Sequence, residues 1–234
     1  MKKFFSLSLH PGKTGEYYYN RMFAIHRMPC VYKALKCVHV GLDILRLREN
    51  GAAGISISMP FKSQVINLLD HPHPYVTQFN SCNSIKIVDD ELYGHNTDVA
   101  GAEHVMSLFP SDAKVAILGA GAMGTMFKTM LKDRATIYSR NTNNWEERYE
   151  ANDIIINCTS FGTATPESPF DIVPPCNLII DLAIKETQLE LQCHDTDIKY
   201  VGGITFYRHQ FRKQFTFYTG IDISIEDIER MEKL

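Results

Sequence analysis

Residues 113–133, AKVAILGAGAMGTMFKTMLKD, decide how this chain is built. An apolar run ending at Leu118 meets Gly119-x-Gly121-x-x-Gly124, and a helical pattern follows. Three glycines so spaced often mark only a tight turn. Between a strand and a helix they form a dinucleotide fingerprint. Gly119 permits the turn, Gly121 lets the backbone approach a pyrophosphate, and Gly124 lets helix and strand close together. The helix N-terminus stabilises the phosphate charge. Gly119, Ala120, Gly121, Ala122 and Gly124 are thus the candidate phosphate cradle.

The next strand selects the cofactor. An NAD site carries Asp or Glu about 20 residues past the loop, on the ribose hydroxyls. Here that position falls in Tyr138-Ser139-Arg140-Asn141-Thr142, which holds no acid. Arg140 can pair with a 2′-phosphate and lie against the adenine, with Ser139 and Asn141 adding hydrogen bonds. The alternative is a solvated arginine at a strand end. NADP is the expected cofactor.

Outward from the loop, ATIYSR, DIIINC, NLIIDLAI and KYVGG read as further strands. Apolar strands alternating with helical stretches predict a parallel α/β sheet. Upstream, FFSLSL reads as a first strand, 16–26 as a helix, VYKALKCVHV as a strand region and LDILRLRENG as a helix ending at Gly51. AGISISM reads as a strand stopping at Pro60, and PFKSQVINLLD as a helix with proline in its first turn. NSIKIVDDELYGHNTD reads as a hairpin with Asp89, Asp90 and Glu91 at its tip. A helix over 99–109 crosses into the glycine-loop unit, and the stretch 206–234 is helical with a break at TGIDIS. Two lobes result: 1–100, completed by the helices of 206–234, and 101–205.

With 234 residues, each lobe can bury a core, and a net charge of −3 advertises no nucleic-acid or anionic-membrane partner. No stretch approaches the ~20 apolar residues of a membrane helix. The N-terminus, MKKFFSLSLHPGK, starts like a signal peptide, but serines break its apolar run, so it reads as a strand of a cytoplasmic protein. The six cysteines show neither a CxxC pair nor zinc spacing and read as buried fillers. His71 and His73, in HPHP, read as a surface turn without a metal.

The first lobe holds Lys62 after PF, Asn83 in SCNS, and Asn96-Thr97-Asp98 in GHNTD. Oxidation of an alcohol needs a group to take the hydroxyl proton while hydride leaves carbon. A facing lysine and aspartate can share that task. Alone, Lys62 reads as a surface lysine.

The ordered set of motifs resembles the shikimate/quinate dehydrogenase family over nearly the whole chain. Ser58-Met59-Pro60-Phe61-Lys62 matches T-x-P-[FH]-K, Ser81-Cys82-Asn83-Ser84 matches A-x-N-T, and Gly94-His95-Asn96-Thr97-Asp98 matches G-x-N-T-D. The glycine loop, Ser139-Arg140-Asn141, Ile156-Asn157-Cys158-Thr159-Ser160-Phe161-Gly162 and the Gln210 to Gly220 stretch follow in order. The resemblance implies an N-terminal substrate-binding domain and a Rossmann-type NADP-binding domain, with the active site in the cleft between them. It implies Lys62 and Asp98 as catalytic pair, and Ser58, Asn83, Asn96 and Gln210 on the hydroxyls of a cyclic polyol acid. Thr159 and Gly203 join the cofactor contacts.

The family grips the shikimate carboxylate with two serines and a tyrosine. The aligned positions carry Lys13, Gly15 and Ile184, so Lys13 would replace the serines by charge. Losing polar anchors shifts specificity. The expected activity is NADP-dependent interconversion of shikimate and 3-dehydroshikimate, or of a related cyclic hydroxy acid and its ketone, by a monomer or homodimer with a small-molecule substrate. The alternative is a catalytically silent NADP-binding relative with another ligand.

Overall fold

The computed structural model describes residues 1–162 and 164–233. The chain divides into two compact units: residues 1–99 with 210–234, and residues 100–209. The sequence boundaries at 100/101 and 205/206 differ from these by one and four residues.

The first unit opens with β1 (Lys2–Ser8), α1 (Thr14–Ile25), β2 (Cys30–Lys36), α2 (Val40–Glu49) and β3 (Ala52–Ile57). It continues with β4 (His71–Pro72), α3 (Pro74–Phe79), β5 (Ser84–Val88), β6 (Glu91–His95) and the start of α4 (Asp98–Met106). The strands lie in the order β2-β1-β3-β5-β6-β4. Helical crossovers make β2, β1 and β3 parallel, while β5 pairs antiparallel with β3 and β6. Asp89 and Asp90 both take positive φ, 51° and 66°, the two-residue turn that suits the right-handed twist of a hairpin.

Ile44, Ile55, Val65, Val76 and Ile85 form one fully buried apolar cluster of this unit. A second cluster is aromatic: Tyr19 stacks on Tyr32 at 4.2 Å, and Phe4, Phe23, Phe211, Phe215 and Tyr218 surround it. Fully burying each such ring contributes roughly 1.5–3 kcal/mol. Phe211, Phe215 and Tyr218 come from α7 (Gly203–Thr219), and α8 (Ile225–Glu232) follows behind a capping box made by Ser224 and Asp227.

Two expectations fail here. The segment after Pro60 is not an α-helix but a series of turns with one 3-10 turn, Ile66–Leu68. Its bonds are of the tighter kind, Phe61 N to Ser58 O and Gln64 N to Phe61 O, both 3.0 Å. The Lys62 carbonyl, which a helix would offer to residue 66, instead accepts from Cys82 N at 2.8 Å. The second is HPHP, which is no simple turn: His71–Pro72 forms β4 against β6, and the His73 side chain caps α3.

The second unit contains β7 (Val115–Leu118), α5 (Ala122–Leu131), β8 (Ala135–Tyr138), β9 (Ile154–Asn157), β10 (Leu178–Asp181), α6 (Gln188–Cys193) and β11 (Lys199–Gly202). All five strands are parallel, in the order β11-β10-β9-β7-β8. Counted from β7, this is the doubly wound order 2-1-3-4-5, reversing between β7 and β9. Short 3-10 turns at Arg140–Thr142 and Trp145–Tyr149 occupy the connection from β8 to β9, where a longer chain would build a crossover helix. Among the described residues no helix is long and apolar enough to cross a membrane. All six cysteines are free, yet only Cys37, Cys82 and Cys193 are buried. Cys30, Cys158 and Cys176 are partly exposed, so buried filling describes half the set.

Candidate active site

Lys62 is held from both sides. Phe61 and Val65, 5% and 0% exposed, sit in the core of the first unit, and the bond from Cys82 N ties the Lys62 carbonyl to the strand entering β5. Its side chain is therefore presented from a fixed turn. Nζ of Lys62 donates to Oδ2 of Asp98 at 2.7 Å. Asp98 is the first residue of α4, where the helix dipole favours a negative charge. Its other oxygen, Oδ1, accepts from Nδ2 of Asn83 at 2.8 Å. The pair is enclosed but not sealed, with side-chain exposures of 21% for Lys62 and 8% for Asp98.

Asn83 is thus a brace for Asp98. Its Oδ1 accepts from the Thr97 backbone N–H at 2.9 Å, from Thr97 Oγ1 at 3.1 Å and from Ser84 Oγ at 2.7 Å. A backbone N–H can only donate, so Oδ1 must face Thr97 and Nδ2 must face Asp98. Gln210 donates to Thr97 Oγ1 at 3.1 Å. Asn96 is fully buried, and neither amide atom has a hydrogen-bond partner. Ser58 is exposed just past the end of β3, and Lys13 is exposed at the N-terminal end of α1. Thr97 and Ser84, quoted from sequence only as motif neighbours of Asp98 and Asn83, join this network, as does Gln214, which the sequence reading did not name. Their signal lay only in neighbouring hydroxyls and in a second glutamine one turn beyond Gln210.

In the second unit, a concavity of about 190 Å³ is lined by Gly119, Gly121, Ser139, Arg140, Asn141 and Thr159, among others. It lies at the C-terminal ends of β7, β8 and β9, where the strand order reverses and α/β sheets bind ligands. The glycines fit a dinucleotide. Gly119 has φ +98°, and a Cβ on Gly124 would fall 1.9 Å from the Gly119 carbonyl oxygen. A Cβ on Gly121 would meet nothing within 4 Å and would project into the open cradle. The Ser139 hydroxyl accepts from Asn141 N at 3.2 Å, and Asn144 bonds both Ser139 N and Ile137 O, which fixes the loop carrying the exposed Arg140.

Behind the cradle, Asp181 accepts from Asn157, Thr187, Tyr200 and the Ala183 N–H. Burial raises its carboxyl pKa against these bonds, and burial likewise pushes up the Cys158 thiol. Gly203 is not among the residues lining the concavity. Its lack of a side chain is explained by packing, since a Cβ there would lie 2.3 Å from the Leu182 carbonyl oxygen.

The family model for the shikimate dehydrogenase substrate binding domain matches residues 15–85. A shikimate dehydrogenase (NADP(+)) of Aquifex aeolicus is 24% identical over 220 residues, covering 84% of this chain and 80% of that protein. One from Pyrococcus abyssi is 25% identical over 237 residues, covering 91% and 90%. The crystal structure of the Aquifex aeolicus enzyme superposes with TM-score 0.87 at 21% identity, covering all of this chain and 98% of that one. Over most of its length the chain is thus similar to shikimate dehydrogenases, with the family match itself confined to the substrate binding domain.

Against that family, the carboxylate-gripping positions stand out. Where the resemblance places the second serine, a Cβ on Gly15 would lie 3.2 Å from the Tyr32 ring and 3.4 Å from its hydroxyl. Tyr32 is buried, and burial raises its phenol pKa to about 12, so at neutral pH it is an uncharged hydrogen-bond donor. Ile184, in place of the family tyrosine, is 46% exposed and brings no polar atom on its side chain. The Lys62, Asn83 and Asp98 positions thus keep the motif residues that the resemblance rests on, while Lys13, Gly15 and Ile184 depart from it.

Proposed function

We propose that this protein is an NADP-dependent oxidoreductase interconverting shikimate and 3-dehydroshikimate, or a related cyclic hydroxy acid and its ketone. The observation carrying the reading is the Lys62–Asp98 contact at 2.7 Å, braced by Asn83, in a chain that also carries a dinucleotide loop. The curated relatives named shikimate dehydrogenase (NADP(+)) support both substrate class and cofactor.

Gly119, Ala120, Gly121, Ala122 and Gly124 would hold the pyrophosphate, Ser139, Arg140 and Asn141 the 2′-phosphate ribose, and Thr159 the nucleotide further along. When bound, NADP supplies the hydride acceptor and NADPH the donor. In the reductive direction Lys62 gives a proton from its ammonium group to the carbonyl oxygen of the ketone. In the oxidative direction the Lys62–Asp98 pair takes the hydroxyl proton. Asp98 keeps Lys62 oriented throughout, and Asn83 keeps Asp98 from rotating. Ser58, Asn96 and Gln210 complete the polar surroundings of the substrate hydroxyls.

Lys13, Gly15 and Ile184 favour a substrate whose acid group is bound by charge instead of by serine and tyrosine hydroxyls. Quinate or another hydroxy acid then stands beside shikimate as the natural substrate. The test gives purified protein NADP or NAD with shikimate, quinate and a panel of cyclic hydroxy acids, following absorbance of the reduced nicotinamide. We expect turnover with at least one acid and preference for NADP. Tight NADP binding with no turnover on any member would overturn the enzyme reading in favour of a silent nucleotide-binding relative.

A further inference from the structure

Two glutamines one turn apart on α7, Gln210 and Gln214, each engage a hydroxyl that contacts the same amide oxygen. Gln214 Nε2 donates to Ser84 Oγ at 2.6 Å and to the Asn83 carbonyl at 3.1 Å, while its Oε1 accepts from the Tyr19 hydroxyl at 2.8 Å. Tyr19 is itself fixed by its parallel stack on Tyr32. With its oxygen held by Tyr19, the Gln214 amide can only present its NH2 group to Ser84. A hydroxyl that accepts at 2.6 Å must aim its own proton elsewhere, and Ser84 aims it at Asn83 Oδ1, 2.7 Å away. Gln210 does the same to Thr97 from the other side.

Three donors on one amide oxygen polarise the Asn83 carboxamide and strengthen its NH2 as a donor to Asp98. The chain Tyr19–Gln214–Ser84–Asn83–Asp98–Lys62 runs in one donor sense up to the carboxylate, where it meets the lysine from the opposite side. Gln214 is 6% exposed and Ser84 fully buried, so neither is presented to a ligand. We propose that Gln214 and Ser84 are positioning residues for proton transfer, holding the Asn83 amide so that Asp98 stays aligned with Lys62. This rests on the oxidoreductase reading above.

The test compares Gln214→Leu, Ser84→Ala and the double variant with the intact protein. Each single change should lower kcat about tenfold with KM and NADP affinity within about twofold, and should move the pH profile of kcat. The double variant should be no slower than the slower single, because both cut one chain. Ser84→Thr, which restores a hydroxyl, should recover most of the turnover that Ser84→Ala loses. An unchanged kcat and pH profile alongside a lowered Tm, or losses that multiply in the double variant, would overturn the proposal. A second readout does not need turnover: hydrogen exchange of the Asn83 side-chain amide, followed by NMR in the unliganded protein. It should be slow in the intact protein and fast in Ser84→Ala. If the intact protein turns over no acid, the oxidoreductase reading fails by itself, and equal exchange in both proteins would overturn the positioning chain separately.

Discussion

Arg140 stands exposed past the end of β8, and among the described residues no acidic side chain lines the concavity it borders. In the proposed function it makes a charge-assisted bond to a 2′-phosphate, worth roughly 1.5–3 kcal/mol. Arg140→Ala should therefore weaken NADP binding by about tenfold to a hundredfold and leave NAD binding nearly unchanged, as measured by titration calorimetry. Equal losses for both nucleotides would refute the phosphate role. His95 gives a second test at this scale. It is 7% exposed, stacked on His73 at 4.0 Å, and burial lowers its pKa to about 4, with His73 and Lys213 adding to the effect. Between its ordinary 6.5 and about 4 the unfolded chain binds a proton that the folded chain does not, so stability falls as pH falls through that window. His95→Phe should remove about 2 kcal/mol of the stability difference between pH 7 and pH 5, read from urea midpoints. An unaltered pH slope would show that His95 does not carry it. Lys62, Asn83 and Asp98 were legible because short motifs name them. The roles of Ser84, which closes the motif carrying Asn83, and of Gln214 were not, because their bond joins residues 130 apart and depends on how α7 packs.

At the scale of elements, the glycine loop separates binding from folding. A methyl on Gly121 meets no atom, whereas one on Gly124 collides with a backbone carbonyl that cannot move aside cheaply. Gly121→Ala should fold with a Tm within about 2 °C of the intact protein and bind NADP at least tenfold more weakly. Gly124→Ala should lose stability, by about 2 kcal/mol or more, since overpacking forces the loop apart. Similar thermal stability in both variants would contradict the packing role of Gly124. The strand–loop–helix reading held because local pattern and tertiary need agree there. The segment after Pro60 was misread as a helix because its propensity competes with a tertiary bond, Cys82 N to Lys62 O, that no local pattern reports. That same bond helps fix the turn presenting Lys62.

At the scale of the whole molecule, alternation of strands and helices was enough to separate the parallel five-stranded unit from the unit built on β1 to β6. The mixed order β2-β1-β3-β5-β6-β4 was harder to read, since a hairpin entering antiparallel beside β3 leaves no periodic trace distinct from any other hairpin. The proposed roles divide along the same line: Lys62, Asn83 and Asp98 belong to the first unit, and the glycine loop to the second. Substitution at Lys62 should therefore act on turnover without acting on nucleotide affinity. The most direct measurement is kcat for Lys62→Ala with the acid that the intact protein oxidises best, alongside its Kd for NADP. We predict that kcat falls by at least about a hundredfold while Kd stays within about twofold. Full activity in Lys62→Ala would contradict the assignment of proton transfer to the Lys62–Asp98 pair.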